Sequence, residues 1–189
     1  MSESAGCLWI GNHPATDLCN TEPVVGGRRL DLLSDLDALI RWVPLAGVTS
    51  EIDPAAISGA EAERSIRFVH RLRAALRAVL EPATPDADAT NALNRVLREQ
   101  PGSLVVDLSS TDVVSWVAST GAAQLRLDIV TSVVDIFRHD RRLIRKCANP
   151  ACELLFLDLS KSRRRRWCDM TTCGNRAKAA AHYARGRPS

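Results

Sequence analysis

The stretch CDMTTCGNRAK, Cys168 to Lys178, decides how the last part of this chain folds. It holds two cysteines with four residues between them, and an earlier pair has the same spacing. Fifteen residues separate the two pairs. Two short cysteine pairs on tight turns, joined by a hairpin, supply the four thiolates of a tetrahedral zinc site. The spacing therefore predicts one Zn²⁺ per chain, bound by Cys147, Cys152, Cys168 and Cys173.

Two other structures use four cysteines, namely a pair of disulfides and an iron–sulfur cluster. No cationic leader with an apolar segment opens the sequence, and a reducing cytosol argues against disulfides. The short, arginine-rich surroundings are more typical of a structural zinc site than of a cluster-binding loop. Zinc is the favoured interpretation, and the other two remain alternatives.

The residues around the cysteines predict a knuckle, a hairpin and a helix. CANPAC, Cys147 to Cys152, contains the turn-forming pair Asn149-Pro150, and LLFLDLS, Leu154 to Ser160, has the pattern of a strand. The alanine-rich segment from Gly174 to Arg185 is typical of a helix. This order predicts a treble-clef-like finger.

The same segment resembles the CGNR zinc-finger family. The resemblance rests on the two cysteine pairs, the Phe-x-Asp strand at Phe156, the Arg-Trp-Cys sequence before the second pair, and the tetrapeptide Cys173-Gly174-Asn175-Arg176. It covers about 40 residues and implies a finger that binds DNA.

The preceding part of the chain resembles the ABATE domain, which usually precedes this finger and is associated with stress-induced transcription regulators. Asp17-Leu18-Cys19-Asn20-Thr21 corresponds to the family's Leu-Asp-Leu-x-Asn-Thr-like signature, with Thr16 in place of its first leucine. Gly26-Gly27-Arg28 and Leu30-Asp31-Leu32-Leu33 follow. The resemblance implies an ABATE-like domain over residues 1–137 and a finger over residues 138–189.

The charges are divided unevenly along the chain. Residues 1–137 hold 11 Lys and Arg against 18 Asp and Glu, whereas residues 138–189 hold 14 against 4. A basic segment of this kind is compatible with nucleic acid as a partner, and the resemblance to the CGNR family implies DNA ahead of RNA or an acidic protein. The candidate phosphate contacts are Arg163, Arg164, Arg165, Arg166 and, on one helix face, Lys178, His182 and Arg185.

Other polar residues of the finger are expected to support the zinc site. A zinc ion with four thiolates carries net negative charge, which nearby cations can neutralise. We expect Arg176 to pair with the cluster or with the hairpin carboxylate Asp158, and Asn175 to support the same site.

The pattern of the front part predicts an α+β fold that is mostly helical with short hairpins. Apolar residues recur at helical spacing over residues 60–80 and 122–137, and helices are also expected over 34–44 and 90–99. Extended segments near residues 24–30 and 104–117 predict hairpins. The arginines of the 60–80 helix are expected on a solvated face.

Neither a P-loop nor a G-x-S-x-G motif is present, and the four histidines are scattered, so we do not expect an enzyme. His13 lies between Cys7 and Cys19, where a second metal site is a minor alternative to buried, apolar cysteines. No apolar run is long enough to cross a bilayer, so we expect a cytoplasmic protein, at the nucleoid if it binds DNA.

Together these features predict a two-part transcription regulator in which the finger binds DNA and the front domain senses an unknown effector or forms a homodimer. The alternative is a zinc-stapled protein–protein interaction module, or an RNA binder.

Overall fold

The computed structural model describes residues 10–25, 27–81, 87–100, 102–106, 108 and 114–185, without the side chains of 114 and 181–185. Cys7 lies outside the described residues. The helices of this part are α1 (Pro14–Asn20), α2 (Leu36–Leu45), α3 (Gly59–Leu80), α4 (Ala87–Arg98), α5 (Gly121–Val134) and α6 (Asn175–Arg185). The strands are β1 (Val24–Val25), β2 (Arg28–Arg29), β3 (Ser103–Val106), β4 (Val114–Val117), β5 (Ile144–Lys146) and β6 (Leu155–Leu157).

Each strand pairs antiparallel with its neighbour in sequence, giving the hairpins β1–β2, β3–β4 and β5–β6. In β5–β6, Arg145 lies opposite Phe156. Helices therefore dominate and strands occur only as short local pairs among the described residues. The α+β class, mostly helical with short hairpins, is confirmed.

Helix α3 is the centre of the main core. The Ser58 hydroxyl caps its first turn by accepting the Glu61 N–H at 3.4 Å. Its apolar face packs against α1, α2, α4 and α5. Each large apolar side chain on that face contributes roughly 1.5–3 kcal/mol through burial. The buried apolar residues of α3 are Phe68, Val69, Leu72, Ala75, Leu76, Val79 and Leu80.

Several boundaries differ from those expected from the sequence. Helix α2, expected over residues 34–44, begins at Leu36, because the Asp35 carboxylate accepts the Ala38 N–H at 2.8 Å and caps the first turn. Helix α5 ends at Val134 and continues as a 3₁₀ turn, Asp135–Arg138. The predicted 60–80 helix matches α3. Helix α1 had no periodic apolar signal because most of its buried residues are polar or small.

Two arginines of the helical part are buried. Arg73 of α3 is only 4% exposed and binds both carboxylate oxygens of Asp31 at 2.8 Å and the Thr21 hydroxyl at 3.0 Å. Arg126 of α5 binds Gln100 at 2.7 Å and Glu61 at 3.2 Å. The predicted solvated arginine face of α3 is therefore wrong at Arg73, where a bidentate carboxylate offsets the cost of burying the charge.

The finger hairpin packs directly on α1. The Asn20 side chain accepts the Leu155 N–H and donates to the Leu155 carbonyl, both at 2.9 Å. The Leu157 N–H donates to the Gly11 carbonyl at 2.7 Å. Leu155 and Leu157 belong to the main core, whereas Phe156 belongs to a second cluster with the cysteines. Strand β6 thus contributes alternate side chains to two cores.

Hairpin β3–β4 exposes apolar side chains. Leu104 and Trp116 lie opposite each other and are 57% and 48% exposed, and Val106 on the same face is 65% exposed. The eight strand residues include no charged side chain.

None of the helices in the described part of the chain combines the length and apolar character of a bilayer-spanning segment.

Candidate metal centre and basic surface

Four thiols converge between β5, β6 and the start of α6. The sulfurs of Cys147, Cys152, Cys168 and Cys173 all lie within 4.8 Å of one another. The Sγ of Cys168 is 3.8 Å from that of Cys152 and 3.6 Å from that of Cys173. Three of the thiols are buried, and that of Cys152 is partly exposed. The two predicted pairs thus form one cluster.

This geometry fits a tetrahedral zinc ion. Four sulfurs about 2.3 Å from a central ion form a tetrahedron with edges of about 3.8 Å. The two separations at Cys168 agree with that edge, whereas a disulfide needs a sulfur–sulfur bond of about 2.05 Å. All four cysteines are free thiols. The cofactor of this cluster is one zinc ion.

The protonation of the thiols also favours a cation. Hydrogen bonding with Cys152 raises the pKa of Cys168, and burial raises that of Cys173. The hydrogen bond from Cys168 lowers the pKa of Cys152 to about 5. Packed together, the thiols cannot all lose their protons unless a cation replaces them, which is the role of zinc.

Turn chemistry holds the first cysteine pair. The Asn149 side chain accepts the Ala151 N–H at 3.0 Å, and its Nδ2 donates to the Cys173 sulfur at 3.5 Å. The Cys168 N–H donates to the Cys147 sulfur at 3.4 Å. Asn149 therefore both forms the knuckle and supports a thiolate from outside the ligand set.

The second pair is held by hydrogen bonds of Asp169 and Asn175. The Asp169 carboxylate accepts the Thr172 N–H at 2.8 Å and so caps the π turn Met170–Gly174. A Cβ on Gly174 would lie 2.7 Å from the sulfur of Met170, a flexible side chain that is 49% exposed and would have to move. Asn175 donates to the Thr171 carbonyl at 3.0 Å and supports this turn.

Asp158 is fully buried, but its partners are not the ones expected. It accepts the Ser160 hydroxyl at 2.6 Å and the Arg165 N–H at 2.9 Å, and lies 3.7 Å from Arg145 Nε. Burial acts to raise the pKa of Asp158, but these hydrogen bonds and the Arg145 charge lower it below its usual range. Arg176 is exposed, and the expected Arg176–Asp158 pair is not formed because nearer donors occupy the carboxylate.

The side chains of the four consecutive arginines, residues 163–166, point in different directions. Arg165 turns inward: its guanidinium lies 4.5 Å above the Phe156 ring and donates to the carbonyls of Ile10, Trp167 and Cys168. Arg163, Arg164 and Arg166 are exposed, and Arg166 lies 5.1 Å from the Trp167 ring. The interpretation of Arg165 as a phosphate contact is corrected, because its Nε and Nη2 donate to carbonyls within the protein and its guanidinium packs on Phe156.

A basic cleft lies beside the exposed arginines. It has a volume of about 370 Å³ and is lined by Ile144, Arg145, Lys146, Ala148, Arg165 and Arg166. Within the described part of the chain no carboxylate forms an ion pair with Lys146, Arg164 or Arg166. Arg145 and Lys146 were not predicted; their position in β5, directly before Cys147, is the signal that could have identified them.

Helix α6 carries the remaining predicted cations. Lys178 is exposed. His182 and Arg185 belong to the helix, but their side chains lie outside the described residues. The predicted cationic face of α6 can therefore be followed only at Lys178.

His13 does not join a site with Cys19. Cys19 is fully buried in the main core, where burial raises its pKa to about 12. His13 caps α1 through its Nδ1, which accepts the Ala15 N–H at 3.1 Å, its Nε2 lies 3.8 Å from Asp135 Oδ2, and its ring centroid is 5.7 Å from that of His139. Burial and the neighbouring His139 lower the pKa of His13. The minor alternative of a site with Cys19 is thus not supported.

Comparison with known families agrees with this arrangement. Residues 143–186 match the CGNR zinc finger, and residues 12–154 match the family described as "Putative stress-induced transcription regulator", or ABATE. Both are regulator or zinc-finger types and not enzyme families. A search of curated proteins found no significant match. The ABATE match covers more than half of the chain, and the chain therefore belongs to the ABATE family, with a CGNR zinc finger following its helical part.

Proposed function

We propose that this zinc-binding regulator binds duplex DNA through the phosphates, using the basic surface of its finger. The observation that carries the proposal is the set of exposed cations beside the zinc cluster, formed by Lys146, Arg163, Arg164, Arg166 and Lys178. They lie in a segment with 14 basic and 4 acidic residues. Such a concentration of unpaired positive charge attracts a polyanion and releases its counterions.

The zinc cluster supports this role by fixing the positions of the cations. Lys146 is followed directly by the ligand Cys147, and Arg166 is separated from Cys168 by Trp167. The Ala148 N–H donates to the Arg166 carbonyl at 2.8 Å, which joins the two sides of the cleft. A preorganised surface loses less side-chain entropy on binding.

Roles follow for the individual residues. The four cysteines bind zinc, and Asn175, Asp158 and Arg165 stabilise the finger around it. Arg164 and Arg166 are the principal phosphate contacts, and Arg145 and Lys146 line the cleft between them and β5. Lys178 extends the basic surface onto α6, and phosphate contacts by His182 and Arg185 remain predictions from the sequence. Such contacts give affinity without base recognition.

The front domain would then sense a signal or hold two copies together. The uncharged, apolar face of hairpin β3–β4 supports self-association, since strand edges of monomers usually carry protective charges. A regulator with these properties would act in the cytoplasm, at the nucleoid.

The proposal is tested with a double variant and a matched control. Arg164→Ala with Arg166→Ala removes two exposed charges from the finger, and Arg64→Ala with Arg67→Ala removes two exposed charges from α3. Both variants have the same net charge. Affinity for a random duplex, measured by fluorescence anisotropy at fixed salt, should fall about tenfold or more in the finger variant and less than twofold in the control.

Zinc content of both variants should equal that of the wild type. Equal affinity of all three proteins would contradict the proposal, and an equal loss in both variants would assign the binding to net charge alone. If the finger binds an acidic protein or RNA instead, the wild type will bind the duplex weakly and without dependence on Arg164 and Arg166.

A further inference from the structure

A second group of potential ligands lies away from the cysteines, where α1 begins and α5 ends. One ring nitrogen of His13, one of His139 and a carboxylate oxygen of Asp135 all lie within 4.8 Å of one another. His13 Nε2 is 3.8 Å from Asp135 Oδ2, and the two imidazole rings are nearly perpendicular with centroids 5.7 Å apart. His13 is buried, whereas Asp135 and His139 are partly exposed. The group is therefore rigid on one side and open to solvent on the other.

We propose that His13, Asp135 and His139 form a second metal site for a divalent transition metal ion such as Zn²⁺. Two imidazole nitrogens and one carboxylate oxygen are ligands that zinc accepts, with solvent in the fourth position. Ca²⁺ and Mg²⁺ prefer oxygen ligands and are poorly matched. The proposal does not depend on DNA binding by the finger.

Neighbouring residues determine the affinity of this site for a metal ion. Arg138 Nε lies 3.2 Å from Asp135 Oδ1 and competes for the carboxylate, but the Arg138 side chain is 84% exposed and can move into solvent. Asp135 directs its other oxygen toward His13. Removal of the Arg138 charge should therefore raise the affinity for a metal ion. If the His13–Asp135 contact were only structural, the same change would not affect metal binding.

Metal binding would also change α1. In the structure the His13 Nδ1 accepts the Ala15 N–H, so the ring carries its proton on Nε2. A metal bound at Nε2 takes the place of that proton, and the neutral ring then holds its proton on Nδ1, which can no longer accept from Ala15. The first turn of α1 loses its cap beside Gly11, whose carbonyl binds Leu157 of the finger hairpin. Occupancy is thereby linked to the contact between α1 and the hairpin.

The experiment counts metal ions in the full-length protein. Wild type, His139→Ala and Arg138→Ala are saturated with Zn²⁺, equilibrated against a weak chelator, and analysed for zinc per chain by mass spectrometry. We expect two zinc ions per chain in the wild type and one in His139→Ala. Arg138→Ala should hold two, and its second ion should be released at a higher chelator concentration than that of the wild type. Asp135→Asn should also hold one ion, and far-ultraviolet circular dichroism checks the fold of each variant.

Substitution with Co²⁺ separates the two sites. The thiolate charge-transfer absorption of the cysteine cluster should be the same in wild type and His139→Ala, while the weaker bands of the second ion should be lost. One zinc per chain in the wild type would overturn the proposal and leave a metal-free His–Asp contact. Two ions in both wild type and His139→Ala would overturn it as well.

Discussion

The helical part and the finger are stabilised by different means. The helical part buries a continuous apolar core around α3 and contains two buried arginines with carboxylate partners. Among the residues that the structure describes, the buried apolar side chains of the second cluster besides its cysteines are Phe156 and Leu154. So small a core cannot offset the entropy of ordering the chain, so zinc must contribute what apolar burial does not.

Strand β6 contributes to the cores of both parts. Leu155 and Leu157 pack into the helical core while Phe156 packs beside the cysteines. Loss of zinc should therefore release the segment after β6, but leave the hairpin β5–β6 attached to α1. The region that needs zinc to stay folded therefore begins after β6, within the finger, and not at the first residue of the finger.

The largest effect is expected for Cys168→Ser, which removes the thiol between Cys152 and Cys173. Zinc contributes on the order of 10 kcal/mol to the folding of isolated fingers. The variant should lose zinc and the amide-exchange protection of α6, while α3 and β6 remain protected, as measured by hydrogen exchange. Cys19→Ala, which removes a buried thiol outside the cluster, is the control and should keep its zinc. Full zinc retention by Cys168→Ser would refute the ligand assignment.

A smaller effect, confined to the helical part, is expected for Asp31→Asn. The hydrogen bonds from Arg73 hold the pKa of Asp31 below its usual range. Because the folded pKa is below the unfolded one, the pair stabilises the protein above about pH 4 and this contribution is lost as the pH falls through the folded pKa. The variant should lose about 2 kcal/mol at pH 7, less than a fully buried pair because Asp31 is 32% exposed.

Urea unfolding between pH 3 and 7 measures this prediction, and Asp37→Asn, an exposed carboxylate without an ion pair in the described structure, is the control. The acid side of the stability curve should be flatter in Asp31→Asn, with zinc content unchanged. A curve parallel to that of the wild type would show that the Asp31–Arg73 pair does not contribute as described.

The smallest effects separate neighbouring arginines. Arg165→Ala should destabilise the finger by about 2 kcal/mol, since it removes the contact with Phe156 and three carbonyl partners. Arg164→Ala should change stability by less than about 0.5 kcal/mol and weaken DNA binding instead. Thermal unfolding of the finger and duplex affinity measure the two quantities. Equal losses of stability in Arg165→Ala and Arg164→Ala would contradict the inward position of Arg165 and the outward position of Arg164.

The sequence was sufficient for features with a local pattern. The cysteine spacing predicted the thiol cluster, and helical periodicity predicted α3 and α5. Local pattern could not separate Arg165 from its neighbours, because the four arginines are chemically identical and only the position of Phe156 selects one of them. Nor could it predict the packing of α1 on β6, since Asn20 and Leu155 are 135 residues apart.

The group formed by His13, Asp135 and His139 shows the same limit. His13 is more than 120 residues from its two partners, so spacing pointed instead to the nearby cysteines. Similarly, the Asp31–Arg73 pair depends on how the β1–β2 region folds against α3. Contacts that join distant segments require the tertiary structure, whereas turns, caps and metal knuckles are encoded over a few residues.

Fluorescence anisotropy of a labelled random duplex, titrated with zinc-loaded protein at several salt concentrations, measures whether the finger binds DNA through phosphates as proposed. Each phosphate contact lowers the slope of log affinity against log salt by about 0.9. With three to five of the exposed cations named above on phosphates, we predict a slope between about −3 and −4.5. No binding at low salt, or binding that does not change with salt, would contradict it.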